Sequence, residues 1–465
     1  MMNKMNRISL ALLVLFVITF SGFAQVREDN VRAQLNFLAS DALQGRGSGT
    51  IYERIAAEYM GAQFRQFGLE PGGDADSAGN KSFVQRVPLE AVKFTEAPVL
   101  SVTDGTNTHK WQFGRDFLVS FLSSPKIAGE LQVIGPEGTF KKGAIVAVKL
   151  PAGATQQQRQ DAVRKARTSD AAAVILIESE ANQKTREAGN VRLPNLPPRV
   201  GVSQGSPFAV ISLRKDALDT VLAMPAGTKV EFAGATEAGD TNATWNAIGV
   251  LRGSNPTEAI VLSAHLDHIG VNETLTGDKI FNGADDDASG CVAVLELARV
   301  LAAGKRPRRT IYFVGFGSEE RGGFGSRYFI ANPPVPLAQI VADVHFEMLG
   351  RPDPKVPSGL WLTGYERSNL GAELVKQGAS LVADPRPEQS FFQRSDNYAF
   401  ALRGVIAHTV SSFGLHTDYH RPSDEVSKID FPFMTKSINS LVKPVQWLAN
   451  SNFRPEWLPG QAPTR

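Results

Sequence analysis

Several histidine, aspartate and glutamate residues in the second half of the chain follow directly after short apolar segments. The residues concerned are His265 and Asp267, Asp285, Asp286 and Asp287, Glu319 and Glu320, Glu347, and His416 and His420. Imidazole and carboxylate groups are the usual ligands of catalytic zinc, which as a rule takes three protein ligands. Two zinc ions that share one carboxylate polarise a carbonyl group together, and a carboxylate that is not a ligand then carries the proton. These residue types therefore indicate a hydrolytic site with two zinc ions.

The segments that precede these residues predict the elements that must position them. Apolar strands are predicted at 259–264, 310–315, 340–346 and 404–410, with a helix at 289–303. Such alternation is typical of an α/β fold, here a mixed central sheet flanked by helices on both faces. Ligands of open α/β sheets bind at the carboxyl ends of the strands. The polar residues are therefore expected to converge in one crevice.

Each feature taken alone has a plainer interpretation. Consecutive aspartates are commonly a solvated helix start, because carboxylates favour the positive end of the helix dipole. The hypothesis of a metal site rests on the fact that all of these features follow consecutive predicted strands.

The other candidate residues have separate interpretations. His345 is an alternative ligand to Glu347, whereas His268, His408 and His416 are expected to be structural or surface residues. Cys291, the sole cysteine, is expected to be a small buried apolar side chain.

Five motifs resemble, in the same order, those of the co-catalytic di-zinc aminopeptidases, which are relatives of glutamate carboxypeptidase. They are HLD at 265–267, GADDDASG at 283–290, SEERGGFGS at 318–326, FEMLG at 346–350 and DYHRPSDEVSKID at 418–430. The resemblance covers roughly 245–430 and extends more weakly to LASDALQGRGSGT at 38–50. It implies a zinc-exopeptidase-like fold and two bound Zn²⁺ ions.

The resemblance also implies a ligand set. His265 and Glu347 would hold the first zinc ion, and His420 and Glu320 would hold the second. Asp286, the middle one of the three aspartates, would bridge both ions. Many members of the family have aspartate where this chain has Glu347, so whether that carboxylate binds through one oxygen or two stays open.

Two further carboxylates are implied to take part in catalysis. Glu319 would be the general base, and Asp267 would hold the imidazole of His265 and so select its tautomer. The implied activity is that of an aminopeptidase acting on peptides with a free N-terminus. A carboxypeptidase or a glutaminyl-cyclase-like activity on the same fold is the alternative. The specificity pocket is expected near residues 389–398.

The first 24 residues predict a secretory signal peptide. Lys4 and Arg7 precede an apolar run at 8–20, and small residues stand at 22 and 24. This pattern predicts cleavage before Gln25 and an exported protein, periplasmic or secreted. A membrane anchor is the alternative, but 13 residues at about 1.5 Å each do not cross a hydrocarbon core of about 30 Å. No membrane span is expected after cleavage.

Residues 120–239 predict an inserted β-rich domain, which is similar to a protease-associated domain. Short apolar runs there are separated by turns, and no cluster of histidine and carboxylate residues occurs. The insertion would divide the peptidase domain into an N-terminal part, 25–119, and a catalytic part, 240–465.

Other functional classes have weaker support in the sequence. The motif G-x-S-x-G occurs at 201–205, but the strand and helix that a serine nucleophile needs around it are not predicted. A dinucleotide-binding loop near 315–317 would place Glu320 against a phosphate. A binding protein that has lost its metals would be expected to lack ligands, and none is missing. The net charge of +2 does not support a nucleic-acid partner.

Overall fold

The computed structural model describes residues 25–105, 107–151, 153–200 and 207–463. The signal peptide predicted at 1–24 and the G-x-S-x-G motif at 201–205 lie outside the described residues. The helices in chain order are α1 (Glu28–Leu38), α2 (Ile51–Gln66), α3 (Gln156–Thr168), α4 (Glu180–Glu187), α5 (Lys215–Leu222), α6 (Gly290–Ala302), α7 (Phe324–Ala331), α8 (Leu370–Lys376), α9 (Asn397–Ala401) and α10 (Phe431–Asn450). Within the described part of the chain, no helix is long and apolar enough to cross a membrane.

Strands β1 to β19 form two large sheets and one small hairpin. In chain order they are β1 (Glu70–Pro71), β2 (Val84–Phe94), β3 (Val99–Asp104), β4 (Asn107–Gln112), β5 (Phe117–Leu122), β6 (Lys126–Ile134), β7 (Ile145–Val148), β8 (Ala173–Ile177), β9 (Ala209–Leu213), β10 (Lys229–Ala233), β11 (Thr236–Leu251), β12 (Asn255–His265), β13 (Gly270–Val271), β14 (Ile280–Phe281), β15 (Arg309–Phe316), β16 (Ile340–Phe346), β17 (Leu360–Leu362), β18 (Leu381–Ala383) and β19 (Ala407–Ser411).

The central sheet is mixed, as the sequence predicted. Its order is β1-β11-β15-β12-β16-β19-β17-β18, with β2 paired to β11. Strands β15, β12, β16 and β19 run parallel, whereas β11 is antiparallel to β15 and β17 is antiparallel to β19. Because parallel strands end at the same edge, the loops after these four strands meet there.

Helices cover both faces of the central sheet. Along β12, Ile260 and Leu262 pack into the apolar cluster of α1, α2, α6 and α10. Val261, between them, packs on the other face with Phe329 of α7 and Phe400 of α9. Successive side chains of a strand point to opposite faces, so a strand buried on both sides is apolar throughout. This explains the unbroken apolar runs that predicted the α/β fold.

The second sheet has the order β4-β3-β10-β6-β7-β8-β9-β5 and its own apolar cluster. It starts at Val99 rather than at residue 120, because the hairpin β3–β4 pairs with β10. The side chains of Asn107–Gln112 are almost all exposed, so this strand lacks the apolar alternation that identifies a strand in a sequence. The sheet also contains parallel strands and packs with helix α3, so it is less purely β than expected.

Two long strands join the second sheet to the central one. β2 and β11 pair antiparallel, from Val84 opposite Ala247 to Phe94 opposite Thr236. The chain therefore leaves and re-enters the central sheet at neighbouring points, which is the connectivity of an insertion.

Candidate metal centre

The four parallel strands bring the predicted ligands together at one edge of the sheet. β12 ends at His265, Glu319 and Glu320 follow β15, Glu347 follows β16, and His420 lies in the loop after β19. Asp286 lies in the turn Ala284–Ser289, which leads into α6. Asp286, Glu319, Glu320, Glu347 and His420 all line one cavity of about 470 Å³.

The two carboxylate oxygens of Asp286 face different histidines. Its Oδ1 lies 3.1 Å from Nε2 of His265, and its Oδ2 lies 3.2 Å from Nε2 of His420. Oε2 of Glu320 also lies 3.2 Å from Nε2 of His420. Donors around a tetrahedral zinc ion with bonds of about 2.0 Å stand roughly 3.3 Å apart. The spacing therefore fits one ion at each oxygen of Asp286.

Donor atoms of His265, Asp286 and Glu347 lie within 4.8 Å of one another, as do those of His268, Asp286 and Glu320. The first group agrees with the predicted first metal site. The second group contains His268, which the sequence analysis expected to be structural or on the surface. This residue lies beside the predicted second metal site.

The two outer aspartates of the triplet face the main chain instead. Asp285 accepts a hydrogen bond from the backbone of Gly350 at 2.7 Å, and Asp287 accepts one from that of Met348 at 3.1 Å. Asp424 in turn accepts backbone hydrogen bonds from Asp285 and Asp286, both at 3.1 Å. The loop is thus held so that the middle carboxylate is directed towards His265 and His420.

The charge of the site is unbalanced without a cation. Among the described residues, no lysine or arginine forms an ion pair with Asp286, Glu319, Glu320 or Glu347. Oδ2 of Asp286 is buried and accepts no hydrogen bond, although it lies close to His420. Buried carboxylates are normally paired or bound to metal ions. The donor set therefore fits metal ions.

The protonation of the site follows from the same crowding. Burial lowers the pKa of His420, but the neighbouring carboxylates of Asp286 and Glu320, each 3.2 Å away, outweigh it and raise that pKa to about 10. Burial also raises the pKa of Glu319 well above its usual range. In the absence of metal, protonated imidazoles supply the positive charge that the carboxylates need, and metal binding would release those protons.

Asp267 lies beside His265, the imidazole that the resemblance implied it would hold, and has further partners. Nδ1 of His265 lies 3.2 Å from the main-chain oxygen of Asp267 but 3.7 Å from its carboxylate. The carboxylate accepts hydrogen bonds from the backbone of Glu319 at 2.9 Å and of Glu320 at 3.3 Å, and from the Ser48 hydroxyl at 2.5 Å. It thus positions the loop that carries both glutamates.

Sequence reasoning missed three supporting residues near the N-terminus. The guanidinium of Arg46, only 1% exposed, donates to the main-chain oxygens of Leu266 and Gly283 at 2.9 and 3.0 Å. Ser48 binds Asp267 as described, and Glu53 accepts from the backbone of Ser318 at 2.9 Å. The only signal was the weak resemblance at 38–50, which contains two of the three.

Three residues beside the ligands have a left-handed backbone, namely Ser318, Met348 and His420, with φ of 55°, 55° and 56°. Non-glycine residues rarely adopt this conformation, which costs of the order of 1–3 kcal/mol and concentrates at functional sites. Each of them turns the chain sharply where a strand-end loop presents a ligand.

His345 is adjacent to Glu347 but has other partners. Its Nδ1 lies 2.9 Å from the hydroxyl of Ser263 and its Nε2 lies 3.0 Å from that of Ser395, while Glu347 is 3.9 Å away. Ser263 donates to Asp343 at 2.8 Å. With both nitrogens engaged, His345 supports the wall behind Glu347 and does not replace it as the predicted ligand.

The other candidate residues lie outside the cluster of donors. His408 is buried between the hydroxyl of Ser368 and a main-chain oxygen. His416 lies 3.0 Å from Asp285, behind the aspartate loop. Cys291 is fully buried, and its thiol donates to the main-chain oxygen of His265 at 3.2 Å; burial raises the pKa of that thiol. All three are structural, as expected.

Four aromatic side chains form one part of the remaining cavity wall. Trp361 stacks on Phe391 at 5.3 Å between ring centroids, and Phe413 contacts both Phe391 at 5.8 Å and Tyr419 at 5.1 Å. Arg394 also lines this cavity. Phe391 and Arg394 belong to the predicted segment 389–398. This wall suits an apolar side chain placed beside the metal-binding residues.

At the strand ends of a mixed α/β sheet, one carboxylate thus lies between two histidines, a donor arrangement that would suit the metal ions of a metallohydrolase. The family model "Peptidase family M28" matches residues 246–443, which contain all seven predicted site residues. Over this region, less than half of its length, the chain is similar to peptidase family M28.

Curated relatives match over limited segments. Leupeptin-inactivating enzyme 1 of Streptomyces exfoliatus is 32% identical over 121 residues, which are 26% of this chain and 25% of the relative. An aminopeptidase of Pseudomonas aeruginosa is 33% identical over 24% of this chain and 19% of its own length. Leucine aminopeptidase 1 of Trichophyton rubrum is 28% identical over 43% of this chain and 57% of its own length. The matches thus span from about a fifth to just over half of these relatives.

Two solved structures share the fold over nearly the whole chain. An aminopeptidase from an Aneurinibacillus species has a TM-score of 0.51 at 21% identity, covering 95% of this chain and 98% of its own. A zinc aminopeptidase from Bacillus subtilis also has a TM-score of 0.51, at 17% identity, covering 92% and 96%. The family match begins at residue 246, after the second sheet, so the similarity of that sheet to a protease-associated domain stays a prediction.

Proposed function

We propose that the chain is an exported zinc aminopeptidase that uses two zinc ions to remove N-terminal residues from peptides. The observation that carries the proposal is the placement of Asp286, whose two oxygens face His265 and His420 at 3.1 and 3.2 Å. His265 and Glu347 would complete the first metal site, and His420 and Glu320 the second. The relatives named above as aminopeptidases and a zinc aminopeptidase support the choice of metal and reaction.

Bound zinc would polarise the scissile carbonyl and lower the pKa of water at the site. Glu319 is in neither group of metal donors, yet it lines the same cavity. The resemblance of the segment SEERGGFGS to the family motif assigns it the role of general base, which would take a proton from the attacking water and return it to the leaving amine. Asp267 holds the backbone of Glu319 at 2.9 Å and so fixes where this carboxylate can reach.

The aromatic wall next to the metal-binding residues would receive the side chain of the N-terminal residue. Trp361, Phe391 and Phe413 are all under 10% exposed and lie in contact with one another, so this surface is built before substrate arrives. Large apolar residues would bury the most area there, at about 25 cal/mol per Å².

Leucine p-nitroanilide is therefore expected to be cleaved, while its N-acetyl form is inert. An acetyl group removes the basic lone pair of the α-amine and adds bulk where an exopeptidase must close around the N-terminus. Because the α-amine has a pKa of about 7.7–8.0 and must be neutral to bind a metal, activity should rise through mildly alkaline pH. Initial rates on the matched pair between pH 6 and 9 measure both effects. Equal cleavage of the two forms would exclude an aminopeptidase.

One observation favours the alternative of a carboxypeptidase. Arg394 lines the cavity, and none of the ion pairs of the described residues includes it. Its guanidinium lies 4.9 Å from the ring of Phe391 and 3.5 Å from the hydroxyl of Tyr419. A guanidinium in this position can bind a carboxylate of the substrate. In the same assay, cleavage of N-acetyl dipeptides with a free C-terminus, but not of their amides, would establish this activity. Loss of ammonia from an N-terminal glutamine would mark a cyclase.

Export is the remaining part of the proposal. It is supported by the basic start, the short apolar run at 8–20 and the small residues at 22 and 24. The main-chain oxygen of Gln25, which precedes α1, accepts a hydrogen bond from Arg299 at 2.6 Å. N-terminal sequencing of the protein from cell fractions is expected to give Gln25 as the first residue, outside the cytoplasm. An intact N-terminus on a cytoplasmic protein would refute export.

A further inference from the structure

We propose that His268 is a positioning residue, which holds Glu320 so that only one of its carboxylate oxygens faces the second metal ion. The inference rests on the proposed di-zinc site and adds to it a residue outside the implied ligand set. His268 is not exposed at all, and the sequence offered no role for it beyond that of a structural residue.

The two oxygens of Glu320 have different partners. Oε1 lies 2.8 Å from Nδ1 of His268, and Oε2 lies 3.2 Å from Nε2 of His420. The first distance is that of a charge-assisted hydrogen bond. The second is close to the separation of two donors on one zinc ion, roughly 3.3 Å. Glu320 is thus held from one side and free to bind metal on the other.

The distances around Nδ1 of His268 also indicate whether this nitrogen donates a hydrogen bond or binds the metal ion. If Nδ1 of His268 bound the second ion, it would stand roughly 3.3 Å from each of the other donors. Instead it is 2.8 Å from Glu320 and 3.8 Å from Oδ2 of Asp286. One distance is too short and the other too long for a shared tetrahedral ion. His268 therefore acts through Glu320.

The surroundings of His268 determine its tautomer. A nitrogen 2.8 Å from a carboxylate oxygen must carry the hydrogen, so Nδ1 is the donor. Nε2 is buried and has no hydrogen-bond partner among the residues that the structure describes, and a bare acceptor there costs less than an orphaned N–H group. The Nδ1–H form is thus the one that both nitrogens favour.

The ring itself is fixed by packing. The backbone of His268 donates to the main-chain oxygen of Arg46 at 3.1 Å. The ring stands edge-on to that of His420, with 5.7 Å between centroids. A Cβ added at Gly283 would lie 2.6 Å from the imidazole, so this glycine leaves the room that the ring fills. His268 can therefore transmit a fixed orientation to Glu320.

The test is a titration of metal-free protein with Zn²⁺ in competition with a chromophoric chelator. Two sites are expected for the unaltered protein. His268→Ala and His268→Leu, the second of similar volume, should leave one site unchanged and weaken the other about 10–100-fold, the usual effect of losing a residue that orients a ligand. His268→Asn can place an amide N–H near the position of Nδ1 and should restore most of the affinity.

A double-mutant cycle identifies the path of the effect. In a Glu320→Ala background, His268→Leu should cause no further loss of zinc affinity, because the residue through which it acts is gone. Circular dichroism of the metal-free variants checks that each is folded. If only one of His268→Ala and His268→Leu folds, that variant alone is enough for the test. Unchanged affinity in His268→Leu, an equal loss in His268→Asn, or additive losses with Glu320→Ala would overturn the inference. Failure of the unaltered protein to bind two zinc ions would instead count against the proposed function.

Discussion

Glu319→Gln is expected to keep both zinc ions and to lose turnover by about 10²–10⁴-fold, the range that general acid–base catalysis contributes. The amide has nearly the size and shape of the carboxylate but cannot take a proton from water. Glu319 lines the cavity but is not in the ligand set that the resemblance implies, so metal binding should not depend on its charge. Rates on leucine p-nitroanilide and zinc content measured on the same samples check both parts.

The control for Glu319→Gln is the same change at Glu366, an exposed residue on a turn. Glu366→Gln should leave rate and zinc content unchanged. A Glu319→Gln protein that loses zinc in parallel with activity would make Glu319 a ligand and leave the general base unassigned. Wild-type turnover in this variant would remove Glu319 from the mechanism altogether.

Asp286→Ala is expected to lose both zinc ions and with them all measurable activity. A bridging carboxylate supplies a ligand to each ion, so its removal leaves two protein ligands at each site, fewer than catalytic zinc usually has. Metal analysis after dialysis and thermal unfolding with and without zinc measure the loss. Zinc at 100 times its Kd should stabilise the unaltered protein by about 2.7 kcal/mol, and the variant not at all.

Asp285→Asn is the matched control for Asp286→Ala, because Asp285 is equally buried in the same turn but faces His416 and the backbone of Gly350. The asparagine retains an oxygen for Gly350, and the variant should hold close to two zinc ions. If Asp285→Asn lost both ions as completely as Asp286→Ala, the turn as a whole, rather than a bridging ligand, would explain the loss. Retention of one ion by Asp286→Ala would show that Asp286 serves only one site.

The elements that carry the site were predictable from the sequence because they depend on local pattern. The predicted strand at 340–346 coincides with β16, and the one at 310–315 lies within β15. Strands buried on both faces are apolar throughout, and each such run stops where a polar side chain enters the cavity. The types of the ligands were visible for the same reason, since imidazole and carboxylate groups at strand ends have few other uses.

The limits of the second sheet were not predictable in this way. β4 has almost all of its side chains exposed and pairs with β3 in register along its whole length. Its side chains carry no apolar alternation, so nothing in the pattern distinguishes it from a loop. The start of this sheet at Val99 depends on pairing with β10, more than a hundred residues further along the chain.

The sequence by itself determined the α/β fold, the ends of the strands and the types of side chain that could bind metal. Each of these depends on residues that are close together in the sequence. The tertiary structure alone decided which of several similar side chains does what. His268, His345 and His416 are each next to a carboxylate, but only His268 contacts a predicted ligand at hydrogen-bond distance. Arg46 reaches the site across 220 residues of sequence. Such contacts arise from packing between distant segments, and no local pattern contains that information.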